Sequence, residues 1–422
     1  MDLGEIANEE AAKYGKPLDG VKILAAEQMQ ALPFATQLLA RLGAEVVKIE
    51  HPIKGESARG SVPYMNDPSG KPVGATFLRN NLNKKSVGID LSTPEGQDLF
   101  LRLVPNFDVV GDNFKPGTMK KFGLDYKFGL DYKSINSKYP NVIVISISGF
   151  GNSGNSPYQN WPAYNSVAEA MSGLYDFKRR DGEPPIVNPM GAVGDIATSL
   201  FGVIGILAAL RHREDTGKGQ YIDIAMFDCM ASLADVAINF HSMGIPREPN
   251  PAPYVIAPFR CSDGYLVLQF VREHQFENLA NLINKPDWIG DSRFQERTGW
   301  GEYLHSDIIP ALEEWSKNLT RSETSSLLAE ANVASGPVLT ASEVVEDPHL
   351  EERNMIVALP RTDEISDPVL LPGNPIKMSK VSEGPEIRVP WVGEHTNDVL
   401  TEELGLSGAE LEELRKTGII SS

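Results

Sequence analysis

The residues whose types and spacing suit chemistry lie in Gly191-Ala192-Val193-Gly194-Asp195-Ile196-Ala197-Thr198-Ser199, which runs on into LFGVIGILAALRHR. Small residues surround one carboxylate. An apolar stretch follows and ends on Arg211, His212 and Arg213, cations that suit the C-terminal end of a helix dipole. The spacing predicts a buried helix with Asp195 at or just before its first turn. Two roles are open to that carboxylate. As an N-cap it would accept hydrogen bonds from the orphan N–H groups of the first turn. As a nucleophile it would present its oxygens, on glycine-rich backbone at a helix mouth, to a bound substrate.

A second stretch, Gly149-Phe150-Gly151-Asn152-Ser153-Gly154, matches G-x-G-x-x-G directly after the strand NVIVISIS (141–148). A dinucleotide fingerprint needs a helix to open there and an acidic residue about 20 positions on. The following NSPYQNWP meets neither condition, so the stretch reads as a glycine-rich loop over a site.

The elements that must position these residues alternate. Val21–Ala25, a helix through PFATQLLARLG with Pro33 in its first turn and Gly43 as its stop, and Glu45–Glu50 make one βαβ unit of parallel strands. Residues 51–83 are Gly-, Pro- and Asn-rich and read as a long loop. SVGIDL (86–91), a helix capped by Thr93, DVVGDN and NVIVISIS continue the pattern of a doubly wound sheet. After the Asp195 helix come the strand YIDIAMF and a helix near 228–243. The proline-rich 244–258 reads as a linker. SDGYLVLQF and helical stretches near 272–284, 303–317 and 321–331 then form a smaller α+β domain. The expected division is 1–228, 229–340 and a return segment, 341–422. The tandem FGLDYKFGLDYK (122–133) is too short to be a solenoid unit.

The chain has 422 residues, 41% of them hydrophobic and 23% charged, and a net charge of −18. That balance argues against nucleic acid or an anionic membrane as partner, and any anionic ligand needs a local basic pocket. No apolar h-region and no uncharged apolar run of about 18 residues is present, so neither a signal peptide nor a membrane span is expected. Cys229 and Cys261 form no disulfide framework and have no metal-ligand spacing; a reducing, cytoplasmic compartment fits.

Taken in order, these motifs resemble the class III CoA-transferase family, also called CaiB/BaiF or formyl-CoA transferase-like. LDGVKIL, PFATQLLARLGAEVVKIE, FLRNNLNKKSVGIDLSTPEG, DNFKPGTMKKFGL, ISISGFG and GDIATSLFGVIGILAALRHREDTGKGQ carry the likeness. SDGY, SGPVLTASEVVEDPHLEERNM, LPGNPIK and VGEHTNDVL extend it to the C-terminus. The resemblance implies an α/β fold. It has a Rossmann-like large domain built from both chain ends, a smaller domain from the middle, and two protomers threaded as interlocked rings. It implies CoA transfer from an acyl-CoA to a small free carboxylic acid through an aspartyl anhydride and an aspartyl-CoA thioester. No metal or covalent cofactor is needed, and coenzyme A enters as the thioester substrate. The nucleophile falls on Asp195. The CoA contacts fall on Gln28, Gln30, Ala31, His51, Lys84, Asn113, Thr118, Lys121, Phe122 and Met226. His51 and Lys121 stand where formyl-CoA transferase has Arg, which loses a bidentate fork. The rival within the superfamily, a 2-methylacyl-CoA racemase, needs a His after the SGFG strand. This chain has Tyr164 and Asn165 there and no His between 52 and 211. A non-catalytic subunit of a heteromeric transferase is the other alternative, and Asp195 argues against it.

Overall fold

Strands rich in Val and Ile, with few polar positions, can be buried on both faces only in a parallel sheet covered by helices. The computed structural model contains such a sheet. It describes the chain except for residues 116, 122–137, 181, 246, 249–250, 364 and 422 and the side chains of Lys120 and Lys121. In chain order its main elements are β1 (Lys22–Ala26), α1 (Ala31–Arg41), β2 (Glu45–Glu50), α2 (Ala75–Asn80), β3 (Lys84–Gly88), α3 (Pro94–Leu103) and β4 (Val109–Asp112). After these come β5 (Ile143–Ser148), α4 (Asn165–Met171), α5 (Val193–Thr216), β6 (Tyr221–Ala225) and α6 (Met226–Leu233). The strand order is β3-β2-β1-β4-β5-β6, every neighbour parallel. The order reverses between β1 and β4, the switch point at which a crevice opens in doubly wound sheets.

One face of the sheet buries Ile23, Ile143, Ile145 and Ile147 against Leu38 and Leu39 of α1 and Val203 and Ile206 of α5. The other buries Leu24, Val47 and Val87 against Phe100 of α3 and Leu400, Leu411 and Ile420 of the C-terminal segment. Thr93 caps α3 through its Oγ1, which accepts from the Gly96 N–H at 3.1 Å. Helix α5 is long and apolar enough to cross a membrane, and half of its most apolar stretch is buried inside the protein.

The chain divides into two compact units. One comprises Met1–Asp176, Asp181–Asp235 and Pro348–Ser422; the other comprises Phe177–Arg180 and Val236–Asp347. The second unit carries an antiparallel sheet of β7 (Val255–Cys261), β8 (Gly264–Phe270) and β9 (Ala334–Pro337) with helices α7 (Glu273–Leu282), α8 (Ile309–Ser316) and α9 (Arg321–Glu330). Its core is aromatic: Phe276 stacks on Trp300 with ring centroids 5.4 Å apart.

Three sequence expectations are corrected. Residues 51–83 are not one loop: Tyr64–Asn66 pairs with Pro72–Gly74, and α2 follows. These pieces are too short to show a period. The linker expected to reach 258 ends before β7, whose strict alternation of buried and exposed residues includes Pro258 on an edge strand, where proline is tolerated. The helix near 228–243 is two, α6 and Val236–Ser242, broken by a left-handed Asp235 (φ 44°).

A buried charge cluster fixes the turn after β1. Lys84 Nζ donates to Glu27 Oε1 at 2.6 Å, to the Pro33 carbonyl at 2.9 Å and to Asn81 Oδ1 at 3.0 Å. Lys48 Nζ lies 3.6 Å from Glu27 and 3.5 Å from Glu56, and all four side chains are buried. Burial pushes the Lys84 ammonium down to about 8, against the pull of Glu27. The expectation that Lys84 meets CoA is therefore corrected: its three N–H donors are spent inside the protein. Lys84→Met leaves Glu27 without its closest cation. It should destabilise the fold by about 3 kcal/mol, the size seen when one partner of a buried pair is removed. Chemical denaturation with the m-value held checks this, and a loss below ~1 kcal/mol would contradict it.

Candidate active site

At the switch point the turns after β1 and β4 are latched together. Gln28 N–H donates to Asn113 Oδ1 and Asn113 Nδ2 returns a bond to the Gln28 carbonyl, both at 2.9 Å. Above this latch, outside the carboxyl ends of β1, β4, β5 and β6, lies a cavity of about 430 Å³. Gln28, Gln30, Ala31, Asn113, Met226 and Asp195, six residues singled out in the sequence, all line it. Others lie elsewhere. His51 Nδ1 accepts from the Ile53 and Lys54 N–H groups at 3.2 Å, so it shapes the turn after β2. Thr118 opens and Lys121 closes a one-turn helix. Phe122 and the FGLDYK duplication fall outside the described residues.

The glycine-rich loop after β5 brings Gly149 and Phe150 to the cavity wall. Asp223 on β6 ties it down, accepting from Asn152 N–H at 3.0 Å and Ser153 N–H at 2.7 Å. No helix opens within the loop, in keeping with its rejection as a dinucleotide fingerprint.

Asp195 is the third residue of α5, and the N-cap position belongs to Ala192. The N-capping role is therefore not its own. A different carboxylate serves the helix start: Glu169 of α4 accepts from the Gly194 N–H at 3.0 Å. Glu169 is buried and held on its other oxygen by the Tyr175 hydroxyl. Asn165 Nδ2 donates to Glu169 Oε1 at 3.3 Å and to the Gly191 carbonyl at 2.6 Å, which binds α4 to the entry of α5. Gly194 is obligatory here, because a Cβ would stand 2.9 Å from the Cα and carbonyl oxygen of Asn165.

The Asp195 carboxylate itself accepts no hydrogen bond and forms no ion pair among the described residues. Burial pushes its pKa up to about 6. The Glu169 charge pushes the same way, and the Arg79 guanidinium opposes both. The site thus holds a half-buried, unpartnered carboxylate with a like charge behind it and a cation across the cavity. Glu169 and Arg79 were not found from the sequence. Glu169 lies 26 positions before Asp195 in an unremarkable helix, and only the packing of α4 on α5 joins them. Arg79 sits in FLRNNLNKKS, a polar stretch in which nothing in the spacing sets it apart from the neighbouring lysines.

This arrangement fixes the sign of two perturbations. Glu169→Gln removes the like charge and should lower the Asp195 pKa. Arg79→Met removes the opposing cation and should raise it. Carboxyl carbon NMR titration of the three proteins checks both directions; shifts of the same sign in the two variants would contradict the geometry.

Comparison with known proteins agrees with the resemblance drawn from the motifs. The family model for CoA-transferase family III matches residues 18–396. A succinyl-CoA:mesaconate CoA-transferase of Haloarcula hispanica is 34% identical over 400 residues, covering 91% of this chain and 96% of that protein. A succinate–glutarate CoA-transferase of Agrobacterium fabrum is 33% identical, covering 95% and 97%. The crystal structure of a CaiB/BaiF family protein from Brucella suis superposes with a TM-score of 0.77 at 32% identity, over 92% of this chain and 99% of that one. With the match running through both halves of the doubly wound sheet and the Asp195 helix, the chain belongs to CoA-transferase family III and is an enzyme of that class.

Proposed function

We propose that this enzyme moves CoA from an acyl-CoA to a free carboxylic acid through covalent intermediates on Asp195. The observation that carries the reading is the Asp195 carboxylate, at the cavity wall and free of protein partners among the described residues. An Asp195 oxygen attacks the thioester carbonyl; the C–S bond breaks, leaving an aspartyl–acyl anhydride and CoA thiolate. The thiolate attacks the Asp195 carbonyl carbon and expels the donor's carboxylate, giving an aspartyl-CoA thioester. The acceptor carboxylate attacks that carbon, forming a new anhydride and freeing the thiolate. The thiolate then attacks the acceptor's acyl carbon, releasing the new acyl-CoA and the Asp195 carboxylate. Atoms balance with no net proton change. A covalent relay of this kind keeps the thioester energy from water. The Gly194 N–H is taken by Glu169 and the Ile196 N–H by the Ala192 carbonyl, so the first-turn N–H groups offered to the oxyanions are those of Val193 and Asp195, with the helix dipole behind them.

In this reading Gln28, Gln30, Ala31, Asn113 and Met226 face the acyl end of CoA, and His51, Thr118, Lys121 and Phe122 serve its nucleotide end. The racemase alternative lacks a base: Tyr164 and Asn165 line the cavity, and no described His does. Two buried free cysteines fit a reducing, cytoplasmic setting.

Asp195→Ala and Asp195→Asn should lose CoA transfer while unfolding at or above the wild-type temperature, since each removes a carboxylate whose charge burial disfavours, and hydroxylamine should trap a modified Asp195 only in the wild type. The attacking form is the anion, so kcat/KM should be half its plateau near pH 6, level off above that, and approach a tenfold fall per pH unit well below it. Steady-state rates across pH check this. Full activity in Asp195→Ala, or a flat profile through pH 6, would overturn the relay.

The interlocked homodimer follows from the same family reading, with the large domain assembled from both chain ends. Its support here is a stripe on α5, Leu200 (47% exposed), Ile204 (61%) and Leu207, at i, i+4, i+7 spacing away from the core. Linked rings should not dissociate on dilution. Sedimentation velocity over a dilution series should give one dimeric species, and a folded monomer at low concentration would contradict it.

A further inference from the structure

The relay on Asp195 leaves unexplained why a guanidinium faces the same cavity. Two cations line it among the described residues: Lys115, which is exposed, and Arg79, which is half-buried. Arg79 is held in place from behind. Its carbonyl accepts from Gln37 Nε2 at 2.9 Å, and Gln37 Oε1 accepts from the Leu82 N–H at 2.8 Å, so the last turn of α2 is pinned to α1. Ser61 Oγ accepts from the Thr76 N–H at 3.0 Å and anchors the first turn.

The guanidinium has five N–H donors in a fixed fork. One bond is spent within the protein, from Nη2 to Gln30 Oε1 at 2.9 Å. No carboxylate among the described residues comes within ion-pair distance of it. Asp195 is near enough to feel its charge but does not touch it. A half-buried cation with an unfilled fork is costly unless an anion completes it. The planar fork matches a carboxylate in two-point contact. The chain's net charge of −18 makes a local cation necessary for any dianionic acid.

We propose that Arg79 receives the second carboxylate of a dicarboxylic acid whose first carboxylate reacts at Asp195, so that this enzyme exchanges CoA between dicarboxylic acids. The proposal deepens the Asp195 reading and rests on it. Gln30 orients the fork, and the gap between guanidinium and carboxylate is spanned by the acid's carbon chain. A monocarboxylic acid of the same length leaves the cation unpaired and is selected against.

The test is a competition. Succinyl-CoA is the donor, and a dicarboxylic and a monocarboxylic acid of equal chain length compete as acceptors: malonate against propionate, and glutarate against valerate. Mass spectrometry reads the ratio of the two acyl-CoA products. That ratio reports relative kcat/KM and does not depend on the donor step or on how much enzyme is folded. Wild type should favour the dicarboxylic product. Arg79→Met should lower the ratio on the order of a hundredfold, the size of a lost pair of charge-assisted hydrogen bonds. Arg79→Lys should fall between. Wild-type enzyme that uses no dicarboxylic acid, or prefers the monocarboxylic partner, overturns the proposal. So does an unchanged ratio in Arg79→Met. An equal loss with both acids assigns Arg79 to the reacting carboxylate or to CoA and also overturns it. Asp195→Ala, run in parallel, separates the two readings: product there removes the relay, while the Arg79 ratio stands or falls by itself.

Discussion

Two carboxylates share one helix start, and the site depends on how the fold keeps them there. Glu169 is buried behind the first turn of α5 and accepts the Gly194 N–H. Asp195 stands one residue on, at the cavity. Holding the Asp195 proton up to about pH 6 corresponds to about 3 kcal/mol of destabilised anion relative to water. The strain is borne because Glu169 is over-determined: a hydroxyl, a side-chain amide and a backbone N–H converge on it. Capping by Glu169 frees Asp195 from the task the sequence would otherwise give it. One carboxylate serves the helix, and the other faces the cavity without a protein partner among the described residues.

The crevice lined by Asp195 comes from topology. Because β1 and β4 are neighbours whose following turns lead to opposite faces of the sheet, their carboxyl ends part. The buried Glu27–Lys84–Lys48–Glu56 cluster and the Gln28–Asn113 latch then fix the backbone at that opening. Met29 adopts a left-handed conformation there (φ 60°) with its N–H donating to Glu56 at 3.1 Å. A buried ion cluster is weak evidence of net stability but does specify one arrangement, because every alternative leaves a charge unpaired.

The sheet and the Asp195 helix were legible because each carries a long, one-valued signal: apolar strands broken by capped helices, and small residues before an apolar run. The short pieces were not. Six-residue α2 has no period to read, and Pro258 disguised a strand whose alternation is otherwise complete. Gln28, Gln30, Ala31, Asn113, Met226 and Asp195, which the motifs single out, all line one cavity. Lys84 was misassigned because a lysine in a polar sequence context looks exposed; its burial is set by Glu27, 57 positions away. Glu169 and Arg79 were invisible for the same reason. Their roles are relations across α4–α5 and α2–α1 packing, and a single sequence carries no signal of such pairs.

The separation of Arg79 from Asp195 is itself informative. Unit charges 4 Å apart attract by about 4 kcal/mol at a near-surface dielectric. Direct contact would therefore be expected wherever side chains could reach it. Contact would also pull the Asp195 pKa well down, fill its oxygens and weaken it as a nucleophile. The fold prevents this by pinning Arg79 to α1 through Gln37 and turning its fork toward Gln30. The cation then stays available for a ligand, and the carboxylate stays basic and unpartnered. The relay proposed for Asp195 and the anion proposed for Arg79 both need the two charges close and neither quenched, which a rigid framework on either side of the cavity supplies.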